Sequence, residues 1–463
     1  MPDTRHAHVL VLGGGVGGYV AALRAAQLGL DTVLIEGSRL GGTCLVRGCI
    51  PSKALIHAAG RFAQAGSGAA IGIGSTAPSL DLATTIAWKD GIVDRLSDGV
   101  GGLLVRAKVS VVEGWATFSD AKTCTVETRE GRAIWTAEHV ILAAGSEAVP
   151  LPVLPFGGPV ISSTEALSMT ALPKHLVVVG AGYIGLELGI AFRKLGAEVT
   201  VIEMADRILP RYDAALSRPV RRWLDGSKVT LHLGATVTGL DAAGRLTVDA
   251  AGGQPLAIAA DSILVTIGRR PRTEGWGLEA MGLDMAGPFV KVDDECRTAM
   301  NGVWAIGDLV GEPMLAHKAS AQGAMVAELI AGHRRRFDPA AVAAVCFTEP
   351  EIVVAGLAPD EAKAAGEDVV TGQFPFSASG RALTLEAGGD GGFVRIVARR
   401  GDGAVLGIQA VGRGVAELAG EFAHALAMGA VLEDIAGTIH VHPTLGEALG
   451  EAALLALGRG LHV

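Results

Sequence analysis

Cys44 and Cys49 stand in the segment GGTCLVRGCIPSKAL with four residues between them. Such a close pair, in a chain with five cysteines, is more often redox-active or metal-binding than structural. On a regular helix, at about 100° per residue, positions i and i+5 diverge by about 140°, too far for their side chains to bond. The turn carrying the pair must therefore be irregular, and Gly48 and Pro51 supply the irregularity by unusual dihedrals and a missing N–H. Three chemistries fit the pair: a zinc half-site, two buried thiols, or a catalytic disulfide. Zinc would want two further ligands close by, whereas Cys124, Cys296 and Cys346 are isolated and expected in the interior or on strands. A thiolate at a helix N-terminus is easily formed, and a disulfide beside a redox cofactor passes two electrons by exchange. The second candidate lies almost 400 residues on, in HVHPTLGEAL, where Glu447 follows His442 by five positions. An imidazole oriented by a carboxylate suits proton transfer with thiols near neutral pH. Spacing alone separates His442 neither from His440 nor from ordinary surface histidines.

The elements that must position these groups are nucleotide-binding units. Residues 8–18, HVLVLGGGVGG, are an apolar run ending in GxGxxG at Gly13, Gly15 and Gly18, followed by a helical stretch and by TVLIE ending at Glu36. Residues 176–203 repeat the pattern with Gly180, Gly182, Gly185 and Glu203. From first glycine to acid the distance is 36 − 13 = 23 residues in one copy and 203 − 180 = 23 in the other. A glycine turn lets backbone amides and a helix N-terminus face a pyrophosphate, while the acid about 20 residues on accepts from a ribose. One such match could be a bland turn, but two strand-flanked copies with their acids predict two dinucleotides. Glu203 favours NAD over NADP, since a carboxylate there repels a 2′-phosphate; Arg207 is the nearest cation that could counter it.

The whole chain has 463 residues, 49% hydrophobic and 19% charged, enough for about three domains of ordinary globular composition. Lys+Arg 39 against Asp+Glu 48 gives −9, which leaves no basic surplus for nucleic acid or anionic lipid. Neither a leader-like start nor an apolar run of about 20 residues is seen, so a cytoplasmic protein without a membrane partner is expected. From residue 341, alternating runs such as GGFVRIVARR and the helical VAELAGEFAHALAMG read as an α+β domain, and the HRRR cluster before it as a solvated helix end.

Over nearly its whole length the chain resembles the pyridine nucleotide-disulfide oxidoreductases. Besides the cysteine segment, the resemblance rests on ILAAGSEAVPLP (141–152), GAGYIGLELG (180–189), TIGRRP (266–271), TAMNGVWAIGDL (298–309), LAHKASAQG (315–323), FTEPEI (347–352) and HVHPTLGEAL (440–449), in that order. It implies an α/β fold of two Rossmann-like dinucleotide-binding domains, one inserted in the other, plus a C-terminal α+β dimerisation domain. The expected bounds are 1–150 and 271–340 for the FAD-binding domain, 151–270 for the NAD-binding domain and 341–463 for the dimer interface. The resemblance implies that FAD is held by Gly13, Gly15, Gly18 and Glu36, with Lys53, Gly114 and the turn Ala144, Gly145, Ser146 nearby. Asp308 would hold the flavin's sugar-alcohol chain, though it also reads as a plain turn acid, and Met314, Leu315, Ala316 and His317 would line the isoalloxazine. NAD would be held by Gly180, Gly182, Gly185, Glu187 and Glu203, with Val237 and Gly268 at its ends and Tyr183 covering the empty nicotinamide site. By residue type alone, Glu187 reads as an unconnected surface carboxylate and Tyr183 as sheet packing; the resemblance instead pairs Glu187 with Lys53.

The implied activity is oxidation of protein-bound dihydrolipoamide with NAD as acceptor, in a 2-oxo acid dehydrogenase or glycine cleavage complex. A lipoyl domain is then the substrate and a homodimer the working form. His442 is selected as base, Glu447 as its partner, and the base is supplied by the neighbouring subunit. Relatives of the same fold fit less well: a mercuric reductase would want a C-terminal cysteine pair, a glutathione-type reductase basic residues in place of Glu203, and a transhydrogenase no paired cysteines. A scaffold flavoprotein with lost catalysis would not need the intact Cys44, Cys49 and His442. Two departures stand out, Val46-Arg47 between the cysteines and Ala144 in place of a threonine. The charge of Arg47 is expected either to favour a thiolate or to point into solvent.

Overall fold

The computed structural model describes residues 3–463 except Ser75, Ala251, Gly252 and Gln254. The first apolar run forms β1 (Asp3–Leu12), in which Val9, Leu10 and Val11 are at most 1% exposed, as a strand covered on both faces requires. Its glycine turn feeds α1 (Val16–Gln27), and β2 (Thr32–Glu36) returns parallel to β1 with Val9 opposite Thr32. Next come α2 (Gly42–Arg47), α3 (Cys49–Ala65), α4 (Leu82–Arg106) and the edge strand β3 (Ser110–Glu113). An antiparallel meander, β4 (Trp115–Phe118), β5 (Thr123–Thr128) and β6 (Gly131–Leu142), then brings β6 alongside β1 in parallel. The sheet order is β3-β2-β1-β6-β5-β4. Alternation sends Leu10 and Ile35 to one core and Val9 and Leu34 to the other. α4 forms although Gly91, Gly99, Gly101 and Gly102 lower helix propensity, because Ile86, Val93, Val100 and Leu104 are buried along it.

The second copy forms a parallel sheet from β7 (Val160–Ile161), β8 (His175–Val179), β9 (Glu198–Glu203), β10 (Thr230–Leu233) and β11 (Ser262–Val265). Its order is β10-β9-β8-β11-β7, with α5 (Tyr183–Leu195) crossing from β8 to β9 and α6 (Ala214–Gly226) leading to β10. Where it leaves and rejoins the first unit, Ser146–Ala148 pairs antiparallel with Arg269–Pro271. The chain then adds β12 (Val303–Ala305) parallel to the end of β6, so the second unit is inserted in the first. Behind β12, α7 (Ala316–Ile330) packs on α1 so closely that a Cβ on Gly323 would lie 2.3 Å from the Gly17 carbonyl.

The remaining sheet is antiparallel: β13 (Ala344–Cys346), β14 (Glu351–Gly356), β15 (Val369–Pro375), β16 (Phe393–Arg399) and β17 (Val405–Gly412), in the order β13-β14-β17-β16-β15. It carries α8 (Ala419–Ala427) and α9 (Glu447–Ala456), which lies on β15 where Gly372 leaves room. This unit docks on the second nucleotide unit through buried Arg395, which reaches Asp213 at 2.9 Å, and through Lys194 with Glu349. The HRRR cluster is exposed and ion-paired, Arg335 to Glu328 at 2.7 Å and Arg336 to Asp294 at 3.4 Å. Among the described residues no helix is long and apolar enough to cross a membrane.

Candidate active site

The two glycine turns are built alike. Gly13 has φ +99°, and a Cβ there would lie 2.5 Å from the Ala143 carbonyl; one on Gly18 would lie 1.8 Å from the Gly13 carbonyl. In the copy, Gly180 has φ +101° and a Cβ on Gly185 would lie 2.2 Å from the Gly180 carbonyl. A Cβ on Gly182 would meet open space and one on Gly15 only ordinary contact with Gly42 at 3.9 Å, and both glycines precede α1 and α5 without a side-chain cap, which leaves helix N-terminal amides for an anion. Each acid clasps its own turn. Glu36 Oε2 accepts from the Gly14 N–H at 2.7 Å and Oε1 from the Ser38 N–H at 2.7 Å. Glu203 repeats this with Ala181 at 2.7 Å and Ala205 at 2.8 Å. Arg207 is tied to the Pro210 carbonyl at 2.7 Å. These turns fit dinucleotide pyrophosphates.

A cleft is lined by the first glycine turn, the two cysteines and residues of the second unit. Its lining includes Glu36 and Gly114, the turn Ala144, Gly145 and Ser146 with Asp308, and Cys49, Lys53, Tyr183 and Glu187. The cysteines sit at the break between two helices. α2 stops at Arg47, Gly48 adopts φ −143° and ψ −110°, and α3 starts at Cys49. A Cβ on Gly48 would lie 2.8 Å from the Thr43 carbonyl, so the break needs glycine. It turns the two sulfurs toward each other as free thiols within hydrogen-bond reach. The Cys44 S–H donates to Cys49, which lowers Cys49 to about 7 against the effect of burial, with the Lys53 charge assisting. The same bond, with burial, pushes Cys44 up. Lys53 Nζ meets Glu187 Oε2 at 2.8 Å and lies 4.4 Å from the Phe347 ring centre; Glu187, 3% exposed, also accepts from the Phe347 N–H at 2.8 Å. Glu187 is thus a buried link among the thiol helix, the second unit and the C-terminal unit, not a surface carboxylate.

Near the C-terminus, Glu447 opens α9 and accepts from His442 Nδ1 at 2.8 Å and from the Thr444 N–H at 2.7 Å. The His442 side chain is 81% exposed and does not line the cleft of its own chain. Beside it, Ile439 and Val441 are 96% and 71% exposed, an apolar edge on the C-terminal unit.

Residues 7–323 match the family described as pyridine nucleotide-disulphide oxidoreductase, and residues 342–453 match its dimerisation domain. The chain belongs to this family. It is 60% identical to the dihydrolipoyl dehydrogenase of Pseudomonas aeruginosa over 98% of each chain. It is 46% identical to that of Halobacterium salinarum, over 98% of this chain and 97% of the relative. Among solved structures, LpdA of Mycobacterium tuberculosis superposes with a TM-score of 0.88 at 28% identity, over 97% of this chain and 99% of that one. The flavoprotein disulfide reductase RclA of Escherichia coli shares the fold, with a TM-score of 0.85 at 24% identity over 97% and 99%.

Within this family frame, several expected residues take other positions. Arg47 lines the cleft with the thiols but bonds elsewhere: its Nη2 donates to Ser38 Oγ at 3.1 Å, and Ser38 Oγ in turn donates to Glu36. Leu315 and His317 do not line the cleft, and the His317 ring bonds the Ala343 carbonyl at 2.8 Å; Met314 and Ala316 do line it. The Val237 side chain is buried with Val179, Ile202 and Val248, so no more than its backbone is left to face a ligand. Gly268 has φ +142° and open space before it. Cys124 and Cys346 are buried on β5 and β13, and Cys296 is buried in a loop. Arg269 was missed. It donates to Ser146 Oγ at 2.9 Å and to the Ser146 carbonyl at 2.8 Å, while Ser146 Oγ donates to Asp308. Its position directly after Gly268 in TIGRRP is the signal that could have found it.

Proposed function

We propose that this chain oxidises protein-bound dihydrolipoamide to lipoamide with NAD as final acceptor, as a homodimer in which each Cys44–Cys49 pair meets His442 of the other copy. The carrying observation is the placement of the two free thiols in one cleft with the first glycine turn, Asp308, and Tyr183 and Glu187 of the second unit. Gly13, Gly15, Gly18 and Glu36 would hold the FAD adenosine and pyrophosphate, Asp308 its ribityl chain, and Gly180, Gly182, Gly185 and Glu203 the NAD. The chemistry supplied by bound FAD would be two-electron exchange between the dithiol and nicotinamide.

The residues then divide the work. His442, oriented by Glu447, takes the proton of a substrate thiol. The thiolate attacks Cys44 Sγ of the oxidised pair, the Cys44–Cys49 bond breaks, and Cys49 leaves as a thiolate. His442 releases this first proton to solvent and takes that of the substrate's second thiol, which attacks the substrate sulfur of the mixed disulfide; the bond to Cys44 breaks, the cyclic disulfide closes, and the Cys44 thiolate takes the proton back from His442. Lys53, held by Glu187, stabilises the Cys49 thiolate. Glu203 selects NAD because a 2′-phosphate would face its carboxylate. Steady-state turnover with dihydrolipoamide is expected with NAD and at least tenfold weaker with NADP. Cys49→Ser is expected to keep bound FAD and lose this turnover; full turnover in that variant would dismiss the disulfide relay.

A further inference from the structure

The loop that carries His442 holds a second histidine, His440, whose side chain is 12% exposed against 81% for His442. His440 Nδ1 lies 3.1 Å from the Thr438 carbonyl and Nε2 lies 3.2 Å from Glu421 Oε1 on α8. Both partners are acceptors. A neutral imidazole has one N–H and would turn a lone pair on one of these oxygens, whereas an imidazolium donates to both. From the opposite side, α9 makes room for the ring: a Cβ on Gly450 would lie 2.9 Å from His440 Nδ1. The charged groups that face His440 are Glu421 on α8 and Glu447 on α9, and Glu447 is in turn shared with His442. The Glu421 bond pushes the His440 imidazole up from its ordinary value against burial. At Glu447 burial opposes ionisation, but the Thr444 N–H, His442 and His440 together hold the carboxyl below its ordinary value.

We infer that His440 is a positioning residue, a protonated imidazole that clamps the His442 loop between α8 and α9 and keeps Glu447 an ionised acceptor for His442. This deepens the proposed reading of His442 and Glu447 and rests on it. His440 touches no reacting atom; it acts through Glu447 and through the loop. A neutral replacement removes a positive charge beside the base and leaves Glu421 uncompensated. Both changes favour a proton on the base, so the acid limb of the rate profile moves to higher pH.

The test uses the flavin-loaded dimer with carbon-13-labelled histidine, the His440 signal being assigned by its loss in His440→Gln. In the unmodified enzyme His440 is expected to remain cationic at pH 7, and Glu421→Gln to bring its midpoint down. In His440→Gln the acid limb of kcat/KM for dihydrolipoamide is expected to rise by about half a pH unit, the size of one charge several ångströms away in a water-like medium. FAD content stays unchanged. A merely structural role would lower kcat and leave the limb in place. A neutral His440 at pH 7, or an unmoved limb in a folded variant, overturns the inference; where His440→Gln does not fold, the signal displaced in Glu421→Gln identifies His440, the ring bonded to Glu421, and its titration in the unmodified enzyme decides. Full turnover in His442→Gln would defeat the reading of the base instead, and the His440 titration would still report separately.

Discussion

The Cys44 thiol and the Lys53 charge both favour the thiolate of Cys49. Cys49, lowered to about 7, is a thiolate above that pH and becomes a thiol as pH falls through it, while Cys44 is kept as the donor. In enzyme reduced with a dithiol, the alkylation rate of Cys49 by iodoacetamide is expected to rise through a midpoint near 7. Cys44→Ala removes the S–H donor and Lys53→Met the nearby charge, so each is expected to move the midpoint up by about one unit. Arg47→Ala is expected to leave it where it is, because Arg47 bonds Ser38 and not the thiols. A midpoint that follows Arg47 would contradict this geometry.

Helices and strands convert glycines into the two cradles, and each cradle can be broken separately. A methyl on Gly185 would meet the Gly180 carbonyl at 2.2 Å and Thr266 Oγ1 at 2.5 Å, closing the turn of the second unit. Overpacking of this kind costs about 1–3 kcal/mol and shifts the backbone that must face the pyrophosphate. Gly185→Ala enzyme is expected to stay yellow and to be bleached by dihydrolipoamide, yet to lose NAD reduction by at least tenfold; retained NAD reduction would show that the turn tolerates the methyl. Gly323→Ala, at the α1–α7 crossing, is expected to lower both the melting temperature and the FAD content, since its methyl would press on the Gly17 carbonyl.

In the whole molecule the base and the thiols of one chain do not share a cleft, and exposed Ile439 and Val441 flank His442 on the unit that matches the family's dimerisation domain. Complementation tests the consequence. Cys44→Ser and His442→Gln homodimers are each expected to be inactive. After dissociation and random reassociation, half the dimers are mixed, and each mixed dimer has one intact site of two if the base crosses the two-fold axis. Activity should then return to about a quarter of the unmodified level. If the base served its own chain, the mixture would stay inactive.

Whatever depends on covalent order was legible in the sequence. Equal spacing of glycines and acids in the two copies follows from the length of one βαβ unit, so Glu36 and Glu203 could be assigned before any coordinate was known. The break at Gly48 was legible for the same reason, because two side chains five residues apart cannot meet on an unbroken helix. Groups brought together across the fold had no local signal, and the family resemblance alone paired Lys53 with Glu187. The Lys53–Glu187 link spans 134 residues and depends on the docking of α3 against α5, so no local pattern marks Glu187 as buried. His440 and His442 share one motif, and only the packing of α8 and α9 tucks one ring between acceptors while it leaves the other in the open. Arg47 shows the limit most plainly: its place between the cysteines fixed its neighbours along the chain, but the bend at Gly48 decided that its charge goes to Ser38.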